Sequence, residues 1–145
     1  MVRPAEVRFY LDADLLGLAK VLARLRPDVT YPGDPGAVVH KRQRSPCPVC
    51  SPAIKDSVWI PQVAGLGWLI ITRDSAIQRY RAELAAVREN SARMVALAGR
   101  DATNTWTQLE LFMTQWRAIE NLTHKSGPFI YIATRTAPLR AIDLS

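Results

Sequence analysis

The sequence predicts an α/β protein in three layers, a mostly parallel central sheet with helices on both faces. Short apolar, β-branched runs (VRFYL, GWLIIT, FIYIAT) alternate with segments whose apolar residues recur every three or four positions, the order of crossover units. GWLIIT and FIYIAT are apolar throughout, as strands covered on both faces are. The composition, 48% hydrophobic and 22% charged, is globular and excludes disordered, collagenous and coiled-coil chains.

The elements follow in order. Val7 to Leu11 is a buried strand that stops at Asp12. From Asp14, the spacing of Leu15, Leu18, Ala19, Leu22 and Leu25 predicts an amphipathic helix closed by Pro27. Asp28–Tyr31 reads as a second, short strand. Residues 32–56 hold five of the ten prolines and read as a long loop, of a length that points to function or mobility. Ser57–Gly65 reads as a short helix with Pro61 in its first turn, and Gly67–Thr72 as a central strand. Ser75 is the expected N-cap of one long helix, with Ile77, Tyr80, Leu84, Val87, Ser91 and Met94 stepping toward Gly99. A further helix runs from about Thr105, with Trp106, Leu109, Met113, Trp116 and Ile119 on one face. Phe129–Thr134 is the last strand.

The length, 145 residues, fits a single domain over residues 1–145. No apolar run approaches the ~20 residues of a membrane span, and the opening lacks the apolar core of a signal peptide. A soluble cytoplasmic protein with no membrane partner is the expectation. Nineteen Lys and Arg, four of them Lys and so fifteen Arg, stand against thirteen Asp and Glu, for a net charge of +6. Guanidinium forks match phosphate geometry, so a polyanion is the expected partner. Two cysteines in one CPVC unit do not make a secreted disulfide framework.

The acids carry the chemistry. One predicted strand runs into Asp12 and another into Arg73-Asp74, while Asp56 opens the helix feeding the second. In a parallel sheet both strand ends, and the N-terminus of a helix preceding a strand, lie on one edge, where such folds hold ligands. Asp14 adds a fourth oxygen donor there. Converging carboxylates repel and hold protons unless a cation neutralises them. Hard oxygen ligands suit Mg²⁺ or Mn²⁺, which activate water for attack on phosphorus. The alternative is a set of helix N-caps, and one geometry serves both roles. Setting the four acids aside leaves nineteen positive against nine negative, or +10, on the rest of the chain.

Other signals are partial. His40, Cys47 and Cys50 are three of the four ligands of a candidate structural zinc site, against two free thiols in a Pro-rich loop. The basic run HKRQR supplies Lys41, Arg42 and Arg44, which with Arg73 are candidate RNA-phosphate contacts beside the acids, against a solvated loop. Trp68, Trp106 and Trp116 are assigned to the core, and Trp59 to a substrate contact. LDADLLG also fits the Asp-x-Asp motif of haloacid-dehalogenase-like phosphatases, but Lys125 is followed by no acid pair.

The segment KDSVWIPQVAGLGWLIITRDSAI resembles the C-terminal core motif of PIN-domain ribonucleases, and VRFYLDADLLG is similar to their first strand and aspartate. GPFIYIAT resembles the PIN-like subgroup among VapC-type toxins of toxin–antitoxin pairs. The resemblance implies a three-layer PIN-like fold and a single-strand RNA endonuclease using Mg²⁺ or Mn²⁺. It also implies inhibition by a cognate antitoxin, and a homodimer. Asp12 matches the family's first metal-ligating acid, Asp56 the acid opening the motif helix, and Asp74 the acid after Thr-Arg. Thr72 resembles the strand-end hydroxyl that orients Asp74 or a metal-bound water. The family's early-helix Glu is missing: no Glu lies between Asp14 and Asp56. Either Asp14 or Asp34 substitutes for it, or the site runs on three acids, or the fold is a weak or inactive scaffold that binds RNA or protein.

Overall fold

The computed structural model describes residues 1–73 and 81–145. Asp74, Ser75, Ile77 and Tyr80 lie outside the described residues. The chain opens with β1 (Arg3–Pro4) and β2 (Phe9–Leu11), then a 3₁₀ turn at Ala13–Leu15 leads into α1 (Leu16–Leu25). β3 (Val29–Thr30), β4 (Ala37–Val39) and β5 (Arg42–Arg44) follow, then α2 (Asp56–Gly65) and β6 (Leu69–Arg73). The rest is α3 (Arg81–Glu89), β7 (Arg93–Leu97), α4 (Thr105–Thr114), α5 (Trp116–Leu122), β8 (Phe129–Ala133) and β9 (Arg140–Ala141).

The main sheet has the order β3-β2-β6-β7-β8-β9. All its pairings are parallel except β8 with β9. Alternating side chains send each strand to two cores. Phe9, Leu11, Leu69, Ile71, Val95 and Leu97 pack with α1, α4 and α5. Tyr10, Ile70, Met94, Ala96, Ile130 and Ile132 pack with α2, α3 and the Cys47–Val49 segment. This is the expected three-layer α/β/α arrangement, and burial on both faces explains the unbroken apolar runs in the middle of the central strands.

Three expectations about elements are corrected. The long helix toward Gly99 is instead α3 and a central strand. After Glu89 the Asn90 side chain donates to the Ala86 carbonyl at 2.7 Å, and Ser91 takes φ 51°, the left-handed stop of a helix C-terminus. Met94 then lies in β7, between β6 and β8.

The helix from Thr105 breaks at Gln115, whose side chain donates to the Thr134 and Ala137 carbonyls. Its buried positions are Gln108, Leu111 and Phe112, and Trp106, at 79% exposure, faces solvent.

The Pro-rich stretch is not all loop. β4 and β5 form a hairpin, β5 also pairs with β1, and the turn places both His40 (φ 50°) and Lys41 (φ 62°) in the left-handed region, the type I′ geometry. Gly36, at φ 82°, admits the chain to this hairpin where a Cβ would strike the Arg44 carbonyl.

Candidate active site

The chain runs from β2 to its neighbour β3, then returns past β2 to β6 on the other side. Strand order therefore reverses between β2 and β6, and a crevice opens beyond their C-terminal ends. Both flanks carry acids or their partners. Asp12 follows β2 in an extended conformation, and its Oδ1 accepts from the Ala13 N–H at 2.6 Å, capping the 3₁₀ turn. That turn brings Asp14 back toward β6. The buried Thr72 hydroxyl lies 3.3 Å from Oδ2 of both Asp12 and Asp14, and the Arg73 N–H donates to the Asp14 carboxylate at 3.3 Å.

Electrostatics mark the same place. The Asp12 carboxyl is pushed up to about 7, first by burial, then by the Asp14 charge and, more weakly, by Asp56. The Ala13 N–H and the Thr72 hydroxyl oppose the rise. The Tyr10 phenol, buried in β2, is pushed up by burial and by Asp12, Cys47 and Asp56, so these groups share one neighbourhood. Among the described residues no Lys or Arg pairs with Asp12 or Asp56. A half-buried carboxyl raised by its burial and by a neighbouring acid is what a divalent cation would neutralise. Mg²⁺ typically takes one or two carboxylates and completes its shell with water and phosphate oxygens, so the Asp12–Asp14 pair fits it. Its acids alone do not make a closed cage: among the described residues no group of three or more His, Cys, Asp or Glu could hold a metal ion.

The remaining expected site residues fall into different places. Asp56 opens α2 as the spacing predicts, but its Oδ1 accepts from the Trp59 indole N–H at 2.8 Å. Trp59 is itself buried against Tyr10, ring centroids 5.1 Å apart, so it supports Asp56 where a substrate contact was expected. Arg73 is exposed at the end of β6, beside Asp14. Asp74 follows it in sequence, outside the described residues.

Arg44 is not a surface cation. It is 2% exposed, and its guanidinium is held by Asp34 at 2.6 Å and by the Ala23 carbonyl at 3.1 Å. Asp34, which also accepts from the Thr30 hydroxyl at 2.8 Å, is taken up by this pair and does not substitute for the absent Glu.

The basic hairpin does not flank the acids either. His40 Nε2 lies 3.1 Å from the Leu25 carbonyl, at the end of α1 remote from Asp12, about 15 Å along a ten-residue helix. Lys41 and Arg42 are exposed there. The same placement corrects the zinc expectation: His40 is drawn to α1, Cys47 is buried and Cys50 exposed, and the three do not form a metal-holding group. Trp68, assigned to the core, is half-buried.

Two cations on the same sheet edge were not foreseen. Arg100 follows β7 after Gly99, and Arg135 follows β8, paired with Asp101 at 3.3 Å. Arg135 was findable as the residue after FIYIAT, whereas Arg100 was hidden once β7 was read as helix.

Residues 7–99 match the family described as PIN like domain. No curated protein and no solved structure matches the chain. The match takes in β2, α1, the hairpin, α2, β6 and β7, and so every acid and partner of the crevice. PIN domains are in general nucleases, typically with Mg²⁺ or Mn²⁺, and a carboxylate crevice at the strand reversal is in keeping with that chemistry. The chain belongs to the PIN-like domain family.

Proposed function

We propose that the chain is a metal-dependent endoribonuclease that cuts single-stranded or structured RNA in the cytoplasm, and the toxin of a type II toxin–antitoxin pair. The observation that carries the reading is the Asp12–Asp14 pair gathered on the Thr72 hydroxyl at the β2/β6 reversal. Bound there, Mg²⁺ or Mn²⁺ would supply a water of lowered pKa and a positive charge against the scissile phosphate. Asp12 and Asp14 would hold the ion, Thr72 and the Arg73 N–H would fix their carboxylates, and Asp56 and Asp74 would complete the acid set. The exposed Arg73 side chain, next to these acids, suits a phosphate oxygen. Lys41 and Arg42 would contact the RNA backbone further from the cut.

The toxin assignment and the cognate antitoxin rest on the family and on the likeness of GPFIYIAT to VapC-type toxins. For a homodimer, the exposed apolar side chains of Leu25, Trp106 and Met113 offer a surface. Cleavage of single-stranded RNA with and without Mn²⁺ tests the activity. Metal-dependent cutting that Asp12→Asn or Asp74→Asn abolishes is the expected result, and equal cutting by wild type and Asp74→Asn would sink it.

One observation favours a second reading, a weak or inactive scaffold. Asp56 is engaged by Trp59, and the early-helix Glu is absent. Calorimetric titration separates the two: no saturable Mn²⁺ binding that depends on Asp12 would leave the scaffold.

A further inference from the structure

A groove of about 370 Å³ lies between α1 and the β4–β5 hairpin, within the range of small-ligand pockets. One wall is α1, with Lys20 and Arg24 exposed. The other is β4, an end strand of the small sheet, with Val38 at 53% exposure. Tyr31 lines it, and the buried Asp34–Arg44 pair forms part of its floor. That pair is mutually neutralised, so the charge of the groove is set by Lys20 and Arg24. Neither makes an ion pair among the described residues. The Tyr31 phenol is pushed up by burial and by Asp34, and Arg44 and Arg24 oppose the rise; Arg24 and Tyr31 both line the groove.

The position of these cations gives the groove its meaning. Gly17, Lys20 and Arg24 follow one another at spacings of three and four along one side of α1, with Asp14 in the 3₁₀ turn just before it, and the Thr105 side chain of α4 packs against this side at Gly17. The helix starts at the acidic crevice and reaches Lys20 and Arg24 about 9 and 15 Å further on, at 1.5 Å per residue. Beyond Arg24 stands the hairpin turn, with Lys41 and Arg42 exposed. The groove cations therefore sit on the helix that leads away from the carboxylates, between the crevice and the basic hairpin turn.

We infer that the groove between α1 and β4 is a subsite for single-stranded RNA, in which Lys20 and Arg24 hold backbone phosphates of nucleotides a few residues from the scissile bond. The inference rests on the nuclease reading for the identity of the ligand. An acidic extended peptide added to the β4 edge would use the same cations. The placement of both cations on the helix that starts at the crevice, and a strand edge only three residues long, favour RNA.

Binding is measured without catalysis, so that the two readings fail separately. The full chain, stripped of divalent ions by chelation, is titrated into a fluorescent RNA of about 16 nucleotides, the upper end of single-strand site sizes, at several salt concentrations. Lys20→Ala/Arg24→Ala is expected to weaken binding about tenfold or more. The slope of log K against log salt should become shallower by about 1.4, since each single-strand phosphate contact contributes about 0.7. Val38→Asp, which places a negative charge on the groove wall, should weaken binding as well. Arg140→Ala, on β9 at the other end of the main sheet, should leave affinity and slope unchanged. Unchanged affinity and slope in the double variant would overturn the inference. So would intact RNA binding in a double variant that has lost binding of an oligoglutamate peptide. Metal-dependent cleavage, on which the nuclease reading stands, is not part of this measurement.

Discussion

The Thr72 hydroxyl lies 3.3 Å from the Asp12 carboxylate, joining β6 to the segment leaving β2 across the reversal of strand order. The bond favours the ionised carboxylate and holds it beside Asp14, which the same hydroxyl touches. Thr72→Val keeps the shape and removes the donor. Mn²⁺ affinity by calorimetry is expected to fall about tenfold, equivalent to about 1.4 kcal/mol, while Thr72→Ser stays near wild type. Equal affinity in the valine variant would leave Thr72 no part in the site.

The raised Asp12 proton gives a pH dependence with a definite sign. In the metal-free protein this carboxyl is pushed up to about 7 from an ordinary 3.8. The folded chain therefore keeps a proton that the unfolded chain has released. Its stabilising share is full below the unfolded value and is lost as pH rises through the folded one. Asp12→Asn removes the titration. Urea unfolding in the presence of a chelator should find the variant close to wild type near pH 4. Near pH 8 it should be more stable, on the order of 4 kcal/mol. A constant difference across that range would assign the effect to packing.

What was legible depended on how locally each feature is encoded. The strands VRFYL, GWLIIT and FIYIAT and the acid Asp12 were readable because each sits at an abrupt change between apolar run and polar residue, and Asp56 because it heads the short apolar helix that feeds a strand. β7 was not, because Val87, Ser91 and Met94 happen to continue a helical spacing while the chain has already stopped at the left-handed Ser91. The β4–β5 hairpin lacked a turn signal, since its left-handed positions are His40 and Lys41 where Asn and Gly are usual. Arg44 shows a deeper limit. Within HKRQR nothing separates it from Arg42; the two share one face of β5, and only the tertiary partners met at position 44, Asp34 and the Ala23 carbonyl of α1, make one structural and leave the other exposed.

That burial makes Arg44 a test of the assignment. Removing one member of a buried ion pair leaves the other charge unpaired and typically costs about 3–5 kcal/mol, whereas replacing both by apolar residues is much cheaper. Arg44→Met should lower urea stability by about that amount, and Asp34→Leu in the same chain should restore most of it. A marginal effect of Arg44→Met alone would return this side chain to the surface contacts.

Trp59 links the second core to the acid that opens α2. Its indole N–H donates to Asp56, and its ring packs on Tyr10. Trp59→Phe retains an aromatic ring in the core but removes the donor. A loss of about 1–2 kcal/mol is expected, in the range for a hydrogen bond to a charged group with some lost packing. In the nuclease reading the variant also changes cleavage, because Asp56 is no longer fixed. The paired measurements are urea unfolding and RNA cleavage at saturating Mn²⁺. A stability loss with unaltered cleavage would confine Trp59 and Asp56 to a structural role.

The exposed face of α4 yields the last prediction. Trp106 and Met113, 79% and 66% exposed, share a face with Leu109 that meets Leu22 and Leu25 of α1 across an apolar groove. Side chains this exposed bury little on folding of the single chain, so Trp106→Gln/Met113→Gln should alter urea stability at low protein concentration by no more than about 0.5 kcal/mol. If the face is where two copies of the chain meet, each side chain is instead buried on association. The double variant should then sediment as one chain at concentrations where wild type sediments as two. Equal sedimentation of the two proteins as dimers would move the interface elsewhere. A large stability loss at low concentration would show that these side chains belong to the core after all.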